Sequence, residues 1–126
     1  MEKLKKPSVL VIDDDLMMRE MLKLILRSGD YEVVGEASNG EDGIVMCSRL
    51  KPGLVLMDIN MPKMDGLQAL EKIHKINPST KVMMVSADAT SDKVIEAVKK
   101  GASGFVVKPL SQASVLERIA MCLKKK

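Results

Sequence analysis

Four apolar runs in this chain each end in a side chain able to do chemistry. Asp13, Asp14 and Asp15 follow Val9-Leu10-Val11-Ile12, and Asp58 follows Leu54-Val55-Leu56-Met57, with Asn60 two residues on. Ser86 ends the run Val82-Met83-Met84-Val85, with Asp88 close behind, and Lys108 follows Phe105-Val106-Val107 and precedes Pro109. If the runs are strands of one sheet, they deliver carboxylates, a hydroxyl and an amine to one rim. Crowded carboxylates repel one another, and desolvation adds to the cost of their charge. A hard divalent cation relieves both. An oxygen-only donor set with room for water suits Mg²⁺ or Mn²⁺ and not zinc, which prefers thiolate or imidazole. The chain has one histidine, and neither Cys47 nor Cys122 lies near a run's end. A cation, an amine and a hydroxyl around Asp58 form the setting a phosphoryl group needs, in transit or held on a carboxylate. Each feature alone has a plainer reading. Asp14 or Asp15 can simply cap a helix, and a lysine beside acids is often a structural ion pair. It is the meeting of several strand ends at one rim that carries the chemical reading.

The elements that must position these residues are legible. Residues 8–12, 32–37, 54–57, 81–85 and 105–107 read as strands, several of them apolar at successive positions. That is the pattern of strands buried on both faces of a parallel sheet. Helical spacing fills the intervals. The stripes are Met18, Met21, Leu22 and Ile25; Leu67, Leu70, Ile73 and His74; Val94, Ala97 and Val98; and Val115, Leu116, Ile119 and Leu123. Glycines and prolines fall near segment ends. Thr90 or Ser91 can cap the helix carrying Val94, and Ser111 the last helix. Asp65-Gly66 reads as a turn and helix start. Strict alternation predicts an α/β fold with right-handed crossovers and helices on both faces of the sheet. In such sheets ligands sit beyond the carboxyl ends of the strands, where the acidic rim lies.

Composition narrows the classes. At 126 residues, with 46% hydrophobic and 29% charged, the chain suits one globular domain. Aromatics are only 2%, Tyr31 and Phe105, too few for a base-stacking platform on single-stranded nucleic acid. The 11 methionines read as an aliphatic, thioether-rich core. The net charge of +3 comes from lysines at the two ends, Lys3, Lys5, Lys6 and Lys124, Lys125, Lys126, and the rest is slightly acidic. Those tails read as solubilising, so neither nucleic acid nor membrane is an expected partner. Two lone cysteines define no disulfide framework, and no run is long enough for a signal peptide or a membrane span. The expected location is the cytoplasm.

The segments Val9-Leu10-Val11-Ile12-Asp13-Asp14-Asp15, Leu56-Met57-Asp58-Ile59-Asn60-Met61-Pro62-Lys63-Met64-Asp65-Gly66, Val85-Ser86-Ala87 and Gly101 to Pro109 resemble the response-regulator receiver domain of two-component signalling, and within it the stand-alone, CheY-like chemotaxis type. The resemblance covers nearly the whole chain. It implies a single receiver domain over residues 1–126, with an ordered core near 8–123, and a five-stranded parallel sheet in flavodoxin-like order 2-1-3-4-5. It implies a phosphoacceptor at Asp58 and Mg²⁺ held by Asp14 and Asp58, by Asp13 through water, and by the Asn60 backbone carbonyl. Ser86 and Lys108 would engage the phosphoryl oxygens, and Asn60 and Asp88 match positions that tune dephosphorylation. The Lys108-Pro109 bond is expected to be cis. Ser86 and Phe105 would act as the switch, remodelling the face made by the fourth helix, fifth strand and fifth helix. Phe105 stands where the familiar pattern has tyrosine, and Ser86 where it has threonine. The implied partners are a sensor histidine kinase, a docking protein such as a flagellar motor switch component, and a phosphatase. The protein is expected to be a monomer and a switch that catalyses only its own phosphorylation and slow dephosphorylation.

Other readings differ in class. Asp13-Asp14-Asp15 contains the Asp-x-Asp of a haloacid-dehalogenase-type phosphatase. However, Met17 stands where that family needs Thr or Val, and no aspartate follows Asp92 to complete its metal site. A receiver-like module that no longer takes phosphate would not need Asp58, Ser86 and Lys108 together. A phosphorelay intermediate is the alternative within the family. His74 reads as a partly exposed structural residue and not a phosphohistidine.

Overall fold

The computed structural model describes residues 6–124. Lys3, Lys5, Lys125 and Lys126 of the basic tails lie outside the described residues. Strands and helices alternate as β1 (Ser8–Ile12), α1 (Leu16–Ser28), β2 (Glu32–Ala37), α2 (Gly40–Leu50), β3 (Leu54–Met57), α3 (Gly66–Ile76), β4 (Lys81–Ser86), α4 (Ser91–Lys99), β5 (Gly104–Val107) and α5 (Gln112–Lys124). All pairings are parallel, in the order β2-β1-β3-β4-β5. β4 runs one residue further than its apolar run suggests, taking in Ser86, and β5 starts one earlier, at Gly104. In both places the ladder continues through a small residue that apolar patterning ignores.

The alternation of a strand decides which helix layer each residue meets. Leu10, Ile12, Val55, Met57, Val82 and Met84 face one layer, with Cys47 of α2, Leu67, Leu70 and Ile73 of α3, and Ala97 of α4. Val9, Val11, Leu54, Leu56, Met83 and Val85 face the other, with Leu22, Ile25 and Leu26 of α1 and Val115, Ile119 and Cys122 of α5. β1 and β3 thus have no solvent face, which is why they read as unbroken apolar runs.

Capping fixes the helix starts. The Asp15 carboxylate accepts from the Met17 N–H, Asn39 from Asp42, and Ser111 Oγ from Ser114. Asp65 and Gln68 form a reciprocal capping box. α4 departs from expectation: Thr90 occupies its N-cap with no side-chain bond, and Ser91 is already helical. The buried stripes also sit slightly rotated from the sequence reading. Met21 and Val98 are exposed at 45% and 63%, while Leu26 is fully buried. His74 lies off its stripe, exposed, with its ring packed over Gly101. Gly101 has φ +108°, a conformation that glycine alone adopts without strain. Met57, Met83 and Met84 are core, but Met17 and Met121 are exposed.

Candidate functional site

The ladder continues one residue past three strand ends and pins the chemistry. The Asp13 N–H donates to the Ala37 carbonyl at 3.0 Å, the Asp58 N–H to Ile12 at 3.1 Å, and the Lys108 N–H to Ser86 at 3.0 Å. Asp13, Asp58 and Lys108 are therefore placed by sheet hydrogen bonds and not by loops. The Lys108-Pro109 bond is cis, as the resemblance implies. Gly66, at the start of α3, packs against the other side of the Asp58 peptide. A Cβ there would overlap the Asp58 carbonyl oxygen and lie 2.8 Å from its carbonyl carbon. The Gly66 N–H donates to the Ile59 carbonyl at 2.7 Å.

Carboxylate oxygens of Asp13, Asp14 and Asp58 lie within 4.8 Å of one another. Asp13 is fully buried and Asp58 is 6% exposed, whereas Asp14 faces solvent. Lys108 Nζ spans the two buried acids, 3.3 Å from Asp13 and 3.5 Å from Asp58. Burial pushes the Asp13 carboxyl above its ordinary value, and the nearby Asp58 charge adds to this. A hydrogen bond from the Asp15 amide and the Lys108 charge pull the other way. The set fits a hard divalent cation. Asp13, Asp14 and Asp58 would hold such an ion through carboxylate oxygens, the donor type it prefers. No thiolate or imidazole belongs to this cluster.

Ser86 is fully buried at the end of β4. Its oxygen accepts from the Asp88 N–H at 3.1 Å, and the Asp88 carboxylate accepts from the Thr90 N–H at 3.4 Å. Asn60 is exposed, two residues beyond Asp58. Phe105 sits across the ladder from Met84, partly buried against the α2–α3–α4 layer.

Sequence reasoning missed an ion network behind the rim. Arg19 of α1 donates through Nε to Glu36 at 2.8 Å and through Nη1 to the Asp13 carbonyl oxygen at 2.7 Å. Lys23 pairs with the other Glu36 oxygen and with Glu20. The bonds from Lys23 and Arg19 hold the Glu36 carboxyl below its ordinary value. A glutamate inside an edge strand, with cations four residues apart on the preceding helix, was the available signal.

Comparison with known proteins agrees with this architecture. A family model described as the response regulator receiver domain matches residues 9–120. Chemotaxis protein CheY of Listeria monocytogenes is 44% identical over 116 residues, covering 92% of this chain and 98% of that protein. CheY of Thermotoga maritima is 45% identical over 111 residues, covering 88% and 92%. Among solved structures, a chain of the CheX–CheY–BeF₃–Mg²⁺ complex from Borrelia burgdorferi superposes with a TM-score of 0.92 at 32% identity, covering 96% of this chain and 92% of that one. With relatives matched almost end to end and the strand order that the motifs imply, this chain belongs to the response-regulator receiver domain family.

Proposed function

We propose that the chain is a single-domain response regulator of chemotaxis type, in which Asp58 accepts a phosphoryl group from the phosphohistidine of a sensor kinase. The observation that carries this reading is the Lys108 amine lying within 3.5 Å of both buried acids, beside the solvent-facing Asp14. An Asp58 oxygen attacks phosphorus in line, and the N–P bond breaks. The imidazole leaves with the electron pair and takes a proton from solvent. Lys108 then exchanges part of its pairing with Asp13 for the phosphoryl oxygens. Because the Ser86 oxygen already accepts from Asp88 N–H, its own hydrogen is free to donate to a phosphoryl oxygen. Asp13, Asp14, Asp58 and the Asn60 carbonyl would hold Mg²⁺ or Mn²⁺, which when bound supplies positive charge against the carboxylates and the phosphoryl group.

Movement of Ser86 toward that group draws on Asp88 and the loop leading into α4. Phe105 then repacks against β4, and the face made by α4, β5 and α5 changes shape. This is a population shift driven by a local change of charge. Ile95 and Val98 of α4 and Val107 of β5 are each about half exposed or more, which suits a docking face for a downstream protein such as a flagellar motor switch component. Asn60 and Asp88 sit where they would govern hydrolysis, alone or with a phosphatase. No helix among the described residues is long and apolar enough to cross a membrane, and the proposed setting is the cytoplasm.

Incubation with acetyl phosphate and Mg²⁺, followed by intact-mass spectrometry, should add one phosphoryl group, absent in Asp58→Asn. Labelling retained in Asp58→Asn but lost in Asp13→Asn would overturn the assignment in favour of a different phosphoacceptor.

A further inference from the structure

Asp13 is held at four points. Its N–H bonds to Ala37, its carboxylate oxygens accept from the Asp15 N–H at 2.9 Å and from Lys108, and its carbonyl accepts from Arg19 Nη1 at 2.7 Å. The last of these has a particular effect. The Asp13 carbonyl and the Asp14 N–H belong to one planar peptide unit. Whatever fixes that carbonyl also fixes the plane from which Asp14, the exposed acid of the cluster, projects. The unit lies just beyond β1, where the ladder no longer holds it.

Arg19 is itself constrained. Its side chain is only 14% exposed, and Glu36 on the edge strand β2 grips Nε at 2.8 Å. Lys23 occupies the second Glu36 oxygen, so the carboxylate cannot swing away. A guanidinium released from Glu36 would be less firmly held on the Asp13 carbonyl and, as a cation, would compete with a metal ion for the nearby carboxylates.

We propose that Arg19 is a positioning residue for the divalent-metal site: it orients the Asp13–Asp14 peptide, while Glu36 keeps its guanidinium on the backbone carbonyl and off the acids. The inference rests on the metal site proposed above and concerns how that site is preorganised. Partners that orient ligands from behind in this way typically account for a tenfold to hundredfold difference in metal affinity. Glu36 acts only through Arg19, so the two substitutions must not add.

The test is titration calorimetry of the full chain with Mg²⁺, read alongside amide chemical shifts of Asp14 and Asp58 and urea unfolding without metal. Arg19→Met should weaken Mg²⁺ binding about tenfold. Glu36→Gln should weaken it several-fold, and the double variant should match Arg19→Met. Arg19→Lys, which keeps the charge but cannot bridge Glu36 and the carbonyl together, should resemble Arg19→Met. Glu36 is partly exposed, so Glu36→Gln keeps the test open if Arg19→Met does not fold. Mg²⁺ affinity within twofold of the parent in the Arg19 variants or Glu36→Gln, or additive losses in the double variant, would overturn the positioning role. Asp14→Asn separates the two levels. If it leaves Mg²⁺ affinity unchanged, the metal site itself is wrong; if it abolishes binding while the Arg19 variants bind normally, only the positioning role falls.

Discussion

Replacing Gly66 with alanine tests how tightly the Asp58 peptide is wedged. The added methyl would overlap the Asp58 carbonyl oxygen, with the Asp58 carbonyl carbon at 2.8 Å and the Ile59 Cα at 2.9 Å. All three are backbone atoms and lie inside the closest approach that Cβ atoms tolerate, so no rotamer change relieves the clash. Either α3 retreats or the strand end bends. Retreat endangers the Gly66 N–H bond to Ile59, a cost of about 1–3 kcal/mol for a buried group left unpaired. Overpacking strain adds about 1–3 kcal/mol. Alanine returns at most about 1 kcal/mol of helix propensity. The net expectation is a loss of about 1–5 kcal/mol, a large share of the stability of about 5–15 kcal/mol typical of a domain. Urea unfolding, followed by far-ultraviolet circular dichroism at pH 7, measures it. Gly40→Ala is the control, because its nearest contacts are 3.3 Å away and include movable side chains; it should change stability by less than about 1 kcal/mol. If Gly66→Ala cost no more than Gly40→Ala, α3 would not brace Asp58. Because the acid shifts with its peptide, acetyl phosphate labelling of Gly66→Ala should also slow.

Further outcomes follow from the charges. Burial raises the Asp13 pKa, so ionised Asp13 opposes folding; that penalty grows as pH rises from 3.8 through the higher folded value. Metal-free Asp13→Asn should therefore be more stable than the parent at pH 7, while gaining less from added Mg²⁺ in thermal melts. Glu36 has the opposite sign. Its folded pKa is lowered, so its contribution is present above 4.5 and is lost as pH falls through the folded value. Glu36→Gln should flatten the acid limb of a stability-against-pH curve. Asp15→Ala removes the bond to the Met17 N–H and should cost about 1 kcal/mol in urea unfolding. Lys108→Met should reduce acetyl phosphate labelling by at least about tenfold while strengthening Mg²⁺ binding, since a competing cation is gone; weaker Mg²⁺ binding would count against its place between the acids.

The sheet was legible because its central strands have no wet face. Val9 to Ile12 and Leu54 to Met57 are apolar at every position, and a run of that length between polar segments has few other homes. Ser86 and Gly104 escaped the strand assignments because a ladder needs only backbone groups. The rim residues were legible for a related reason, since each interrupts an apolar run abruptly. Helix faces were harder to read. Spacing marks a stripe, but the tilt of the helix on the sheet decides whether Leu26 or Met21 goes inside. Thr90 shows a similar limit: its type permits a cap, yet its side chain makes no capping bond, and its own N–H donates to the Asp88 carboxylate. The Arg19–Glu36 bond joins residues 17 positions apart across a strand-to-strand crossover. Only the fold brings them into register.

Asp58 and Asp13 are sunk beneath the surface, whereas Asp14 and Asn60 beside them are exposed. Displacement at phosphorus requires the incoming and departing atoms to lie on opposite sides. If Asp58 is phosphorylated as proposed, a water molecule that erases the signal would therefore have to enter along the path by which the donor imidazole departed. Writing and erasing would share a doorway, and any protein seated on it would both block further loading and preserve the mark already made.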